Sequence, residues 1–195
     1  MIMDGKRCVF VHIPKTGGTT VNTILKEQMD FQWKPIEKHF QLRDYYVWYP
    51  RTKNYRSFTL VRNPWDNFVS LFSFMQTFPN EIVPTSFEGF LYDLDVGKLR
   101  KHLRDLKWDQ ALANLYERGQ DNWLDKRLDF ILKLEDLKKD ASLIERELKV
   151  KIGEVPVTNF SKRNKNYRDY YKNQKMINIV ADKNKRLLSL VNYEF

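Results

Sequence analysis

A single cysteine, Cys8, stands among 195 residues, so no internal disulfide framework can form. Seven glycines and seven prolines are too few for a collagen-like or low-complexity chain. No run of about 18 apolar residues occurs, which argues against a membrane-spanning helix. The opening residues lack the basic and apolar regions of a signal peptide, and a cytoplasmic protein with no membrane partner is expected. No cluster of His, Cys and Asp has metal-ligand spacing, so no metal is expected. The GxxxxGK[ST] loop of ATP- and GTP-binding proteins is absent as well.

What is present is a basic, aromatic-rich chain. It has 34 Lys and Arg against 25 Asp and Glu, a net charge of +9, with 13 Phe, 10 Tyr and 5 Trp. The length suits one domain, residues 1–195, with a real core. The charge fits a solvated, lysine-rich surface, or attraction to an anionic ligand such as a nucleotide or nucleic acid.

The chain is organised around Val9–Leu25, VFVHIPKTGGTTVNTIL. An apolar run ends at His12-Ile13, a glycine turn follows, and Val21, Ile24 and Leu25 return at helical spacing. Such a strand–turn–helix unit can cradle an anion. Paired glycines let the backbone turn tightly, and a helix N-terminus offers N–H groups and a positive dipole end. Lys15, Thr16, Gly17, Gly18, Thr19 and Thr20 are the candidate ligands. The bland alternative is a turn that needs glycine for geometry and threonine for capping.

A second unit follows. Ser57–Arg62 reads as a buried strand, Asn63-Pro64 breaks it, and Trp65–Met75 carries Phe68, Leu71, Phe72 and Met75 on one helical face. Two such units argue for a parallel sheet with crossover helices. Arg62, at the end of a strand, suits a bidentate phosphate contact, with Ser70 eight residues on; bonds to local carbonyls are the structural alternative.

Further elements are expected at Thr19–Met29, Leu42–Trp48, Ser86–Leu94, Lys98–Lys107 and Glu135–Leu148 as helices, and at Leu128–Leu134 as a strand. Asp109–Trp123 reads as either helix or loop. One final helix is expected from about Asp169 or Asn173 to Leu190, with Tyr193-Glu194-Phe195 packed back as a tail. The basic run KLRKHLRDLK fits nucleic-acid or membrane contact, but reads better as a solvated helix face.

The order PKTGGTT, followed by Arg62-Asn63-Pro64 and Ser70, resembles the phosphosulfate loop and 3′-phosphate motif of sulfotransferases that use 3′-phosphoadenosine-5′-phosphosulfate (PAPS), especially the carbohydrate type and its bacterial relatives. DFILKLEDL, NFSKRNKNYRDYY and NYEF resemble later segments of the same family, so the likeness runs along nearly the whole chain. Relatives read VRNPWDR where Asn67 stands here, which puts an ion pair within that turn in doubt.

The resemblance implies an α/β fold with a mostly parallel sheet flanked by helices, related to P-loop nucleotide kinases. It also implies PAPS as donor, PAP as product, and a hydroxyl of a carbohydrate or other small molecule as acceptor. Lys15 would stabilise the leaving phosphate, and Ser161, Lys162 and Arg163 are candidates for the 3′-phosphate region. His39 is the candidate base, because relatives carry a histidine in this interval; Glu37 is the alternative, and His12 reads as a packing residue. A nucleotide or small-molecule kinase competes, but the lysine precedes the glycines. A nucleic-acid module competes on charge alone, and no RNP1 or KH-type motif is present.

Overall fold

The computed structural model describes residues 1–26, 38–152, 163 and 166–195. They fall into two compact units, Met1–Arg62 with Trp123–Phe160, and Asn63–Asn122 with Ser161–Phe195.

The first unit holds a four-stranded, mostly parallel sheet in the order β1-β2-β3-β4. Strands β2 (Cys8–Val11), β3 (Arg56–Val61) and β4 (Phe130–Lys133) run parallel, with Val11 opposite Thr59 and Thr59 opposite Ile131. β1 (Ile2–Met3) adds an antiparallel edge that the sequence pattern did not announce. Helix α1 (Gly18–Lys26) follows β2, and α7 (Leu137–Leu148) follows β4. Cys8, Phe10, Phe58, Leu60 and Leu132 point to one face of the sheet, where Val21 and Leu25 of α1 and Ile144 and Leu148 of α7 close the core. β2 is buried at every position, which explains its unbroken apolar run. Burial also pushes the Cys8 thiol up to about 12, so it packs as a small hydrophobe.

Helix α2 (Leu42–Trp48) begins with a capping box, in which the Gln41 N–H donates to Asp44. Within α2 Tyr45 is fully buried in the core, whereas Trp48 is 71% exposed.

The second unit is helical among its described residues: α3 (Pro64–Met75), α4 (Phe87–Asp93), α5 (Val96–Asp105), α6 (Ala111–Arg118), α8 (Gln174–Lys183) and α9 (Lys185–Leu190). Side chains cap several starts: Ser86 accepts from the Gly89 N–H, Asp95 from Lys98 and Asn173 from Met176. Phe68, Phe72, Phe87, Phe90 and Tyr116 pack ring on ring at its centre. The single final helix expected from the sequence is instead α8 and α9, broken at Asn184. The Asn184 side chain donates to Val180 O and accepts the Gln120 N–H, which favours a break over a continuous helix. Among the described residues no helix is long and apolar enough to cross a membrane.

Candidate active site

Parallel pairing carries the carboxyl ends of β2 and β3 to one edge of the sheet, the edge where open α/β sheets bind ligands. The loop after β2 is tightly specified. Lys15 has φ +65 and Gly17 φ +85, both left-handed, so Lys15 stands in a conformation that costs a residue with a Cβ about 1–2 kcal/mol. Thr16 is fully buried, and its hydroxyl donates to Ile13 O at 2.9 Å. That hydroxyl therefore works inside the loop, and Thr16 can offer an anion only its backbone. Thr19 is exposed and Thr20 buried.

The glycines are required by protein packing. A Cβ on Gly17 would lie 2.5 Å from Leu134 Cδ1, and one on Gly18 would lie under 3.0 Å from three atoms of the His12 ring. The space their missing side chains open is thus filled by Leu134 and His12. What remains for an anion is the helix start. The N–H groups of Thr20 and Val21 both bond Gly17 O, so those of Gly18 and Thr19 precede the first ladder bond of α1.

Arg62, one residue past β3, donates from Nη1 to Lys15 O at 3.2 Å. The local-carbonyl role of this arginine is therefore real, and the carbonyl belongs to the candidate loop. Arg62 thereby ties the end of β3 to the turn that carries Lys15.

His12 and His39 lie together, ring centroids 4.6 Å apart. His12 is buried, stacked on Phe10, and desolvation, followed by the charges of His39 and Lys38, lowers its pKa well below 6.5, so its ring is neutral. Its backbone carbonyl lies 3.0 Å from His39 Nδ1. A carbonyl only accepts, so Nδ1 carries the proton and the lone pair of the neutral ring sits on Nε2. Trp123, unmarked by any motif, donates from Nε1 to His39 O at 2.9 Å and holds the backbone of that residue.

In the second unit, Asn63 caps α3, its side-chain oxygen accepting from Trp65 N and Asp66 N while Nδ2 donates to Tyr167 OH and Glu194 O. Phe195 packs on Trp65, Tyr167 and Tyr171, so the tail does fold back. Ser70 is buried in α3. Arg163 is 9% exposed and pairs with Asp66 at 2.5 Å, one turn before Ser70. The acid that has no arginine beside it at Asn67 thus finds its partner 97 residues away. Glu37, Ser161 and Lys162 lie outside the described residues. Among the described residues no group of three His, Cys, Asp or Glu could hold a metal.

A glycine turn between a parallel strand and a helix, at the carboxyl edge of the sheet, makes this an α/β protein with a loop compatible with an anion. The model of the Sulfotransferase family matches residues 1–193, and this chain belongs to that family. Family membership supports sulfotransfer in general as its activity. Similar solved structures include a sulfotransferase from Alicyclobacillus acidocaldarius, at 13% identity over 97% of this chain and 96% of that one, with a TM-score of 0.48. Another is mouse sulfotransferase SULT7A1 complexed with PAP, at 14% identity over 97% and 84% of the two chains, with a TM-score of 0.44. No curated protein sequence matches the chain.

Proposed function

We propose that this chain transfers a sulfuryl group from PAPS to an acceptor hydroxyl, of a carbohydrate or another small hydroxylated molecule, and releases PAP. The observation that carries the reading is the Lys15–Thr20 turn braced by Arg62, in a chain of the Sulfotransferase family. The family model runs through both units, which supports reading 1–193 as one functional domain.

PAPS supplies an activated sulfuryl group on its 5′-phosphate. Lys15 and the N–H groups at the start of α1 would hold that phosphate and neutralise charge on the leaving oxygen. Arg62 would engage the 3′-phosphate, with Ser70 assigned to the same group by its spacing from Arg62 in the sequence. His39 would take the acceptor's proton at Nε2, because its Nδ1–H is committed to the His12 carbonyl. Arg163 serves the nucleotide in this reading only if its pair with Asp66 opens, so its first role is to anchor its segment on α3.

Thermal melting with PAP, adenosine 5′-phosphosulfate and ATP tests the reading. PAP at 100 times its Kd adds about 2.7 kcal/mol of stability, roughly 5–10 °C for a chain of this length. Arg62→Ala should weaken PAP by about 10- to 150-fold, the worth of a charge-assisted contact, and adenosine 5′-phosphosulfate, which lacks the 3′-phosphate, far less. No shift with millimolar PAP, or a larger shift with ATP, would overturn the proposal. Equal weakening of both ligands would reduce Arg62 to a loop brace.

A further inference from the structure

Helix α5 and the residues after it carry a surface outside the residues assigned above to sulfuryl transfer. Lys98, Lys101, Arg104 and Lys107 recur every third residue and are exposed, with Asp105 as the acid among them. Arg100 is turned inward, bonded to Glu117 and Asn114. Lys98 lies 4.0 Å from Asp95, while Lys101, Arg104 and Lys107 have no ion-pair partner among the described residues. The apolar side of the helix, Leu99 and Leu103, is fully buried.

The end of α5 is closed by a paired-bond cap. Lys107 is left-handed at φ +57, its N–H donates to Arg104 O, and the Trp108 N–H donates to Leu103 O at 2.8 Å. This closure presents Leu106 and Trp108 on a fixed backbone, 49% and 47% exposed. Trp108 is further held by stacking on Phe74 and by an edge contact with Phe78, whose ring also meets His102. A solvated helix face, the reading the charge pattern alone suggests, calls for polar residues here. Two half-exposed large apolar side chains beside a row of cations instead have the composition of a bilayer interface contact.

We propose that the Lys98–Trp108 face docks the protein on an anionic lipid surface, the cations meeting headgroups while Leu106 and Trp108 enter the acyl boundary. Charge complementarity selects anionic lipid, and the exposed leucine favours a bilayer over a soluble polyanion. The proposal is independent of the assignment of the nucleotide site.

Co-sedimentation of the full chain with phosphatidylcholine vesicles, with and without phosphatidylserine, tests it. The protein should pellet only with the anionic vesicles and release as salt rises. Each basic side chain near the surface is worth about fivefold in partition, so combining Lys101→Gln, Arg104→Gln and Lys107→Gln should cost about a hundredfold. Leu106→Ser, which alters an exposed side chain only, should cost about tenfold at unchanged charge. Failure to pellet with either vesicle overturns the proposal. So does wild-type-like pelleting of Leu106→Ser together with retention on heparin, which would make this face a polyanion contact.

Discussion

Replacing Gly18 by alanine puts one methyl group where the His12 ring already lies. The added Cβ would meet Nε2, Cδ2 and Cε1, all under 3.0 Å, and the ring is buried with Phe10 stacked behind it and His39 beside it. A rigid ring so confined cannot swing away as a flexible chain end can, so the backbone of the loop or β2 must move. Overpacking of this kind costs about 1–3 kcal/mol. The upper half is expected here, lowering the melting temperature by roughly 4–10 °C for a chain of this size. Gly5 supplies the control, because a Cβ there meets nothing within 4 Å. Gly17→Ala is a different case: its Cβ meets the far end of the flexible Leu134, and its cost is mainly that of φ +85, about 1–2 kcal/mol. Thermal and urea unfolding of the three variants would rank them Gly18, Gly17, Gly5. Adding His12→Ala to Gly18→Ala should recover part of the loss, a coupling readable in a double-mutant cycle. If Gly18→Ala matched Gly5→Ala within about 0.5 kcal/mol, the packing account of the second glycine would be refuted.

Three further outcomes are expected. His39→Ala should lower turnover by roughly 10²–10⁴ with PAP affinity nearly unchanged, and near-normal turnover in a folded variant would pass the role of base to Glu37 or another carboxylate. Asp66→Asn leaves the Arg163 charge buried without its carboxylate and should cost about 3 kcal/mol in urea unfolding, whereas a change below 1 kcal/mol would show the pair to be solvent-screened. His12 has a lowered folded pKa, so below the unfolded value of about 6.5 the unfolded chain binds the extra proton. Stability should therefore fall as pH drops beneath 6.5, by up to about 1.4 kcal/mol per unit, and His12→Phe should flatten that slope in melts between pH 7 and 5.

Much of the candidate loop was legible because its signals are local. An unbroken apolar run, two glycines and a return to helical spacing announce β2, the turn and α1 within 17 residues. Helix α2 matches the expected Leu42–Trp48, and α3 begins one residue before the position read from Asn63-Pro64. Strand β1 was not legible, since two residues carry no periodicity and its identity comes from pairing with Cys8 and Val9. The glycine pair was read as room for an anion, yet its necessity comes from Leu134 and His12, one of them 117 residues from Gly17.

The amino-acid sequence by itself determined the parallel strand–turn–helix units, the motifs of the family and the absence of a disulfide framework, because each depends on residues within a few positions of one another. Only the tertiary structure decided which nitrogen of His39 carries the proton, that Arg62 braces Lys15, that Asp66 is answered by Arg163 and that the last helix breaks at Asn184. In each case a hydrogen-bonding group finds its partner tens of residues or more along the chain. Local propensity carries no record of that distance, and burial makes the partner obligatory.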